Sequence, residues 1–237
     1  MQLPFNEDTL VKDIVNLFPN SSDIFKKNRI DFCCGGNVKL SEATAERQLN
    51  IKIIMDELAS LYEKNTRTAE DMEVWTQTDS PALIQHIIEN YHRPLEEELS
   101  LLSPYVTKVA RVHGTRHPEL ITMHDLFYEL KKELLEHTAK EEADVFPVLL
   151  ALEKHEAGQP KTLPNYIKEL ESEHDHAGSI LKKLRDITAD FTPPADACGT
   201  FRLVYKRLEI LEDQTFMHVH LENNILFPRF MDSPVIL

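Results

Sequence analysis

The sequence predicts an all-α protein, in which an antiparallel four-helix bundle follows a small helical N-terminal domain. Three observations predict this class. The chain of 237 residues has only six glycines, its Leu, Glu, Lys and Ile residues fall into long helical patterns, and no credible strand run appears. Prolines and short polar segments separate the patterns and mark the helix ends.

Residues 1–62 are predicted to form the small N-terminal domain. Apolar residues in the segment 10–18 recur at helical spacing, and the segment PNSSD then breaks this helix and can cap the next. Gly35 and Gly36 are expected to end the second helix in a turn. Ser41 is expected to begin one long helix that continues through Leu61.

The polar segment 63–79 has no sustained period and predicts a linker, which leaves 80–237 for the bundle. Ser80 is a good N-cap and Pro81 suits the first helical turn. Four helical patterns follow, over roughly 80–110, 120–152, 164–189 and 197–230. Helices of this length, joined by short or modest loops, predict a four-helix bundle.

Composition and charge exclude several function classes. A formal net charge of −14 argues against nucleic acid and against an anionic membrane surface as partners. The N-terminus MQLPFNEDTL lacks a signal-like apolar segment, and the run FPVLLAL is too short to span a bilayer. With three cysteines, an odd number, the chain is predicted to be cytoplasmic. A homodimer through the N-terminal domain is compatible with the sequence.

A sequence repeat carries the metal-binding prediction. HTAKEEADVFP, starting at His137, and HVHLENNILFP, starting at His218, share the pattern H-x3-E-x4-F-P. Because positions i and i+4 lie on one helix face, His137 and Glu141 point the same way, and so do His218 and Glu222. Each pair interrupts an apolar stripe, where a carboxylate is costly unless it is paired or bound to a metal.

The first and third helices each supply one more histidine. His92 and His174 lie on apolar stripes, 45 and 44 residues before His137 and His218. Four imidazoles and two carboxylates without a thiolate suit iron or manganese, and they are too many for one tetrahedral metal. We therefore predict two metals, each held by two histidines and bridged by the two carboxylates. The open positions suit an oxo or hydroxo bridge and a small exogenous ligand.

Other histidines and glutamates receive separate predictions. His176 and His220 lie about 200° round the helix from a ligand and are expected to face away, toward solvent. His113 is the first candidate for a fifth histidine ligand, and another loop histidine is the alternative. Glu133 and Glu173 are expected to hydrogen-bond the ligands or to line a path to the site.

The motifs resemble the haemerythrin-like domains, and DFCCGG narrows the resemblance to the repair-of-iron-centres family of di-iron proteins. YHRPLEEEL, EHTAKEEADVFP, ESEHDHAG and HLENNILFP match the family's ligand segments. The resemblance implies an oxo- and carboxylate-bridged centre of two non-haem irons. The implied terminal ligands are His92, His137, His174 and His218, and the implied bridges are Glu141 and Glu222.

The resemblance also implies a cytoplasmic protein that repairs iron–sulfur clusters damaged by nitrosative or oxidative stress. It is expected to donate iron to its partners, which are proteins with damaged clusters, and to bind nitric oxide or oxygen as small ligands. Two other functions remain open from the sequence. One is an enzyme that reduces nitric oxide at the di-iron site, and the other is a haemerythrin-like oxygen or nitric oxide binding or sensing module, which needs a fifth histidine.

Cys33 and Cys34 are predicted to be free thiols. Adjacent Cα atoms are about 3.8 Å apart, closer than the roughly 4.4–6.8 Å of unstrained disulfides, so a bond between them would be strained. Gly35 and Gly36 are expected to leave the pair open and mobile. Within the resemblance, both cysteines are candidates for passing iron to a client protein or for a redox-sensitive link.

Overall fold

The computed structural model describes residues 3–66, 75–154 and 162–231. The chain divides into two compact units, one of residues 1–79 with 219–233 and one of residues 80–218 with 234–237. Residues 67–74 of the predicted linker lie outside the described residues. Within the described ranges the regular elements are helices, which confirms the all-α prediction. No helix among them is both long and apolar enough to cross a bilayer.

The first unit begins with four helices packed around aromatic residues. They are α1 (Val11–Leu17), α2 (Ser21–Lys27), α3 (Leu40–Glu46) and α4 (Ile51–Thr66). Phe18 and Phe25 are fully buried in this unit. The Phe18 and Tyr62 rings lie nearly perpendicular to each other with their centroids 5.2 Å apart, a favourable arrangement for aromatic pairs.

The prediction of one long helix from Ser41 to Leu61 is wrong. The helix is interrupted between α3 and α4, where Gln48 adopts a left-handed φ of 56°. Asn50 then starts α4, because its Oδ1 accepts the backbone N–H of Lys52 at 3.0 Å. The capping asparagine is a sequence signal that the apolar spacing alone does not reveal.

The second unit is an antiparallel four-helix bundle, as predicted. Its first helix comprises α5 (Ser80–Ile87), π1 (Ile88–His92) and α6 (Arg93–His113), and its second comprises α7 (Glu119–Lys140), π2 (Glu141–Val145) and α8 (Phe146–Glu153). The third and fourth helices are α9 (Leu163–Ile187) and α10 (Gly199–Leu221). The boundary between the units falls within α10, after His218, and the chain continues through π3 (Glu222–Leu226) and α11 (Pro228–Met231).

Each of the three π-helical turns is followed by the same local sequence, in which the residue that closes the turn precedes a proline. Arg93, Phe146 and Phe227 donate their N–H groups five residues back, to Ile88, Glu141 and Glu222. The next residues are Pro94, Pro147 and Pro228. A proline has no N–H for the carbonyl four residues back and its ring crowds that carbonyl, so a wider turn before it is favoured. The F-P of the repeat thus accounts for the π turn at each of its glutamates.

The π turns shift the helical register by one residue. Regular spacing of three and four residues puts Ile88 on the apolar stripe of His92 and Val148 on that of Glu141, but both side chains are only half-buried. Their neighbours Ile87 and Leu149 are fully buried instead. Spacing rules based on 3.6 residues per turn misplace these two side chains because each π turn inserts one extra residue.

An apolar core holds the four bundle helices together beyond the histidines. Phe127, Leu130 and Leu181 are among its fully buried members. Each such side chain contributes roughly 1.5–3 kcal/mol by leaving water. This packing fixes the helices, and with them the side chains of the site described below.

Candidate metal centre

The bundle brings all four predicted histidines to one buried point. His92 Nε2 lies 3.0 Å from His218 Nε2, and His174 Nε2 lies 2.7 Å from His137 Nε2. All four side chains are buried. Phe146, from the F-P of the repeat, stacks on His92 with ring centroids 5.7 Å apart. The four Nε2 atoms therefore form two facing pairs.

Glu141 lies between the two histidine pairs and is fully buried. Its Oε2 is 3.5 Å from His92 Nε2 and 3.3 Å from His137 Nε2. Neither of its carboxylate oxygens accepts a hydrogen bond from the described part of the chain. A buried carboxylate without hydrogen bonds costs several kcal/mol. A cation between the carboxylate and the imidazoles would offset this cost.

The candidate ligands form two groups that share their carboxylates. One contains His92, Glu141 and His218, and the other contains His137, Glu141 and His174, with ligand atoms within 4.8 Å of one another. Glu222, one helical turn beyond His218, belongs to both groups and is fully buried. Two imidazoles and two carboxylates per group are a donor set that fits iron or manganese.

Two further carboxylates hydrogen-bond the outer nitrogens of the histidines. His137 Nδ1 lies 2.7 Å from Glu173 Oε2, and His92 Nδ1 lies 2.9 Å from Glu142 Oε1. The hydrogen bond from His137, aided by Lys140, lowers the pKa of Glu173 to about 2 against the opposing effect of partial burial. For Glu142, partial burial opposes the shift, and hydrogen bonds from His92 and Arg93 lower the pKa on balance.

Sequence reasoning found Glu173 but missed Glu142. Glu142 follows Glu141 directly, so it lies about 100° round the helix from the ligand face and is expected to face solvent. It reaches His92 because a neighbouring helix brings that histidine beside it. Glu133 is half-buried on α7, one turn before His137. Its predicted role at the site stays a prediction.

His113 lies far from the four histidines along the bundle. It follows His92 by 21 residues on one continuous helical run, about 30 Å at 1.5 Å per residue. Its Nε2 lies 3.3 Å from Cys198 Sγ. This position rules out His113, the first of the candidates for a fifth histidine ligand. His176 is solvent-exposed, as predicted.

His220 contradicts its sequence prediction, because it is buried in the first unit and not exposed. Its Nδ1 donates to the backbone carbonyl of Phe32 at 3.1 Å, and its Nε2 lies 2.9 Å from Asn16 Oδ1. Burial lowers the pKa of His220 to about 4, because it disfavours the charged imidazolium. His220 thus holds the segment that leads into the paired cysteines.

The paired cysteines form an ordered turn around Asp31. Asp31 Oδ1 accepts the backbone N–H groups of Cys33, Cys34 and Gly35 at 3.0–3.2 Å. A Cβ on Gly36 would lie 2.4 Å from the Phe32 carbonyl oxygen, so the turn requires glycine there. Asn224 Nδ2 donates to the Cys33 carbonyl at 2.9 Å.

The two thiols have different surroundings. Both are free, with their Sγ atoms 3.7 Å apart. Cys33 is buried and Cys34 is half-buried, so the expectation of an open pair is wrong for Cys33. The hydrogen bond to Cys34, burial and the charge of Asp31 together raise the pKa of Cys33 well above its ordinary value. Cys33 is therefore a neutral thiol at physiological pH, and Cys34 is the accessible one.

Two domain families match this chain in succession. Residues 7–62 match ScdA_N, a domain of unknown function, and residues 83–230 match the hemerythrin HHE cation-binding domain. The second match includes all six candidate ligands.

Relatives match nearly the whole chain. The iron–sulfur cluster repair protein ScdA of Staphylococcus haemolyticus is 41% identical over 94% of this chain and 98% of its own length. ScdA of Staphylococcus epidermidis is 34% identical over 94% and 98%. The iron–sulfur cluster repair protein YtfE of Escherichia coli O8 is 36% identical over 89% and 91%. The chain therefore belongs to the ScdA/YtfE family, in which an N-terminal ScdA_N domain precedes a hemerythrin HHE cation-binding domain.

Proposed function

We propose that this protein repairs damaged iron–sulfur clusters by donating iron from a di-iron site in its bundle. The observation that carries the proposal is Glu141, a buried carboxylate that lies between two pairs of imidazole nitrogens and accepts no hydrogen bond from the described residues. The names of the relatives, which are iron–sulfur cluster repair proteins, support the function.

The proposed ligands divide between two irons. His92 and His218 would hold one iron, His137 and His174 would hold the other, and Glu141 and Glu222 would bridge them. Six side chains leave each iron short of octahedral coordination. An incompletely coordinated iron can exchange ligands with an acceptor, which suits donation better than permanent storage.

The cysteines are proposed to take part in passing iron to the client. Cys34 is half-exposed and a thiolate is a good iron ligand, whereas the raised pKa of Cys33 keeps that thiol protonated. We therefore assign the main contact with the client to Cys34. Glu133 and Glu173 are proposed to line the path of iron in the bundle.

The partners follow from the same proposal. They are proteins with damaged clusters in the cytoplasm, with nitric oxide or oxygen as small ligands under nitrosative or oxidative stress, and the working form is proposed to be a homodimer. The alternative of a nitric oxide reductase has no support from the names of the relatives, which concern cluster repair.

Metal content and an optical spectrum test the site first. We expect two irons per chain with near-ultraviolet absorption in the wild type, and loss of both in His137→Ala. His176→Ala is the matched control, because it removes an exposed histidine from α9. An iron-free wild type that cannot be reconstituted would refute the di-iron site.

A transfer assay then tests the function. Reduced, iron-loaded protein is mixed with an apo cluster protein, sulfide and a thiol, and the new cluster and the iron left behind are both measured. Cys34→Ser should slow transfer, while Cys198→Ser, at an exposed cysteine of the bundle, should not. Conversion of nitric oxide to nitrous oxide without loss of iron would instead support a reductase.

A further inference from the structure

Glu142 and Glu173 occupy equivalent positions at the two proposed iron sites. Each accepts a hydrogen bond from the Nδ1 of a histidine whose Nε2 faces the centre, Glu142 from His92 and Glu173 from His137. The two histidines belong to different ligand groups. Among the described residues, each outer carboxylate therefore hydrogen-bonds a histidine of one ligand group and not of the other.

Each of these carboxylates is also held by a cation from the bundle. Arg93, next to His92 in the chain, donates to Glu142 Oε2. Lys140, next to Glu141 in the chain, donates to Glu173 Oε1 at 2.9 Å and also pairs with Glu169 at 2.8 Å. The cations fix the orientation of the two carboxylates, so each histidine finds an acceptor oxygen in a defined position.

The hydrogen bond determines which ring nitrogen can bind a metal. A neutral imidazole carries one N–H, and an ionised carboxylate can only accept. The proton of His92 therefore lies on Nδ1, and its Nε2 lone pair faces the centre. The same reasoning applies to His137 and Glu173. Carboxylate partners of this kind fix the tautomer and the ring orientation of metal-binding histidines.

We propose that Glu142 is the positioning residue for the iron held by His92 and His218, and that Glu173 is its counterpart for the iron held by His137 and His174. This inference rests on the proposed di-iron site. Loss of one outer carboxylate should weaken one iron and leave the other close to its wild-type affinity, because each carboxylate contacts a histidine of one group only.

Release of iron to a chelator tests the proposal. Wild type, Glu142→Ala, Glu142→Gln and Glu173→Ala are loaded with iron, mixed with excess chelator and followed with time. We expect one iron to leave Glu142→Ala about 10–100-fold faster than the other. Glu142→Gln should have a smaller effect, since its amide oxygen can still accept the Nδ1 proton. Glu173→Ala should accelerate release of the other iron. The double variant Glu142→Ala/Glu173→Ala should therefore release both irons rapidly.

Glu98→Ala is the matched control for a merely structural loss. Glu98 pairs with Arg207 at 2.7 Å, and its side chain is 23% exposed, compared with 22% for Glu142. Both changes break a partly buried Glu–Arg pair, but Glu98 contacts none of the four histidines through these bonds. Equal acceleration of both irons in Glu142→Ala, or release as slow as in Glu98→Ala, would overturn the proposal.

Long-range ¹H–¹⁵N NMR of the metal-free protein separates this proposal from the di-iron function. We expect His92 to carry its proton on Nδ1 in wild type and in Glu98→Ala, and to lose this preference in Glu142→Ala. An unchanged tautomer in Glu142→Ala would overturn the positioning role. A Glu142-dependent tautomer in a wild type that binds no iron would support the positioning of His92 while refuting the di-iron site.

Discussion

Replacement of Glu141 by glutamine should stabilise the metal-free protein while abolishing tight iron binding. Glu141 is fully buried, neither oxygen accepts a hydrogen bond from the described residues, and its Oε2 lies 3.5 Å from His92 Nε2 and 3.3 Å from His137 Nε2. These Nε2 atoms carry lone pairs if Glu142 and Glu173 accept the Nδ1 protons. A glutamine removes the buried charge, and its amide nitrogen can donate to either Nε2.

The size of the effect follows from the cost of an unsatisfied buried group. That cost is about 1–3 kcal/mol, and more for a charge. For a chain of this size, each kcal/mol changes the Tm by about 2–4 °C. Glu141→Gln should therefore raise the Tm of the metal-free protein by roughly 2–12 °C. The gain from adding iron should disappear, since bound metal stabilises only a state that binds it.

Differential scanning calorimetry measures the Tm with chelator, for the metal-free protein, and with iron, for the gain from metal binding. The scans are run at pH 8.5 because imidazole is ordinarily neutral at that pH. Glu212→Gln is the control, since Glu212 is equally buried but is paired with Arg185 through Nε at 2.9 Å. Breaking that pair should lower the free energy of unfolding by roughly 3–5 kcal/mol. The reasoning fails if Glu141→Gln destabilises the metal-free protein as Glu212→Gln does, or if it binds iron like the wild type.

Three further predictions concern the cysteine turn around Asp31, the bundle core and the π turns. In urea titrations, Gly36→Ala should lower the free energy of unfolding by about 1–3 kcal/mol, because its Cβ would clash with the Phe32 carbonyl oxygen. Gly199→Ala is the control and should be near neutral, because there is open space around Gly199. Burial, with a smaller effect of Glu119, raises the pKa of Tyr205 to about 12. Between pH 10 and 12 the native state therefore keeps a proton that the unfolded state loses, so the stability of the wild type should fall by about 2 kcal/mol more than that of Tyr205→Phe. Pro147→Ala restores a backbone N–H that can pair as in an α-helix, which should remove the π turn at Glu141 while the protein stays folded. Iron should then bind at least about 10-fold more weakly in competition with a chelator. Unchanged binding would contradict the proposed link between the proline and the π turn.

The sequence by itself determined the helical class and the six candidate ligands. Both depend on local periodicity, because residues four apart share a helix face and the spacing His137–Glu141 recurs at His218–Glu222. A carboxylate on an apolar stripe also requires compensation wherever the helix packs. These inferences needed no knowledge of which helices are neighbours.

Only the tertiary structure decided which side chains support the ligands. Glu142 lies off the ligand face of its own helix and reaches His92 from a different one. His220 lies opposite the ligand face and is buried because it contacts Phe32, 188 residues earlier in the chain. Contacts between segments far apart in sequence produce no periodic pattern from which they could be predicted. The π turns at Ile88, Glu141 and Glu222 likewise shift the register that a regular helix predicts, so the burial of Ile87 and Leu149 emerged only from the folded chain.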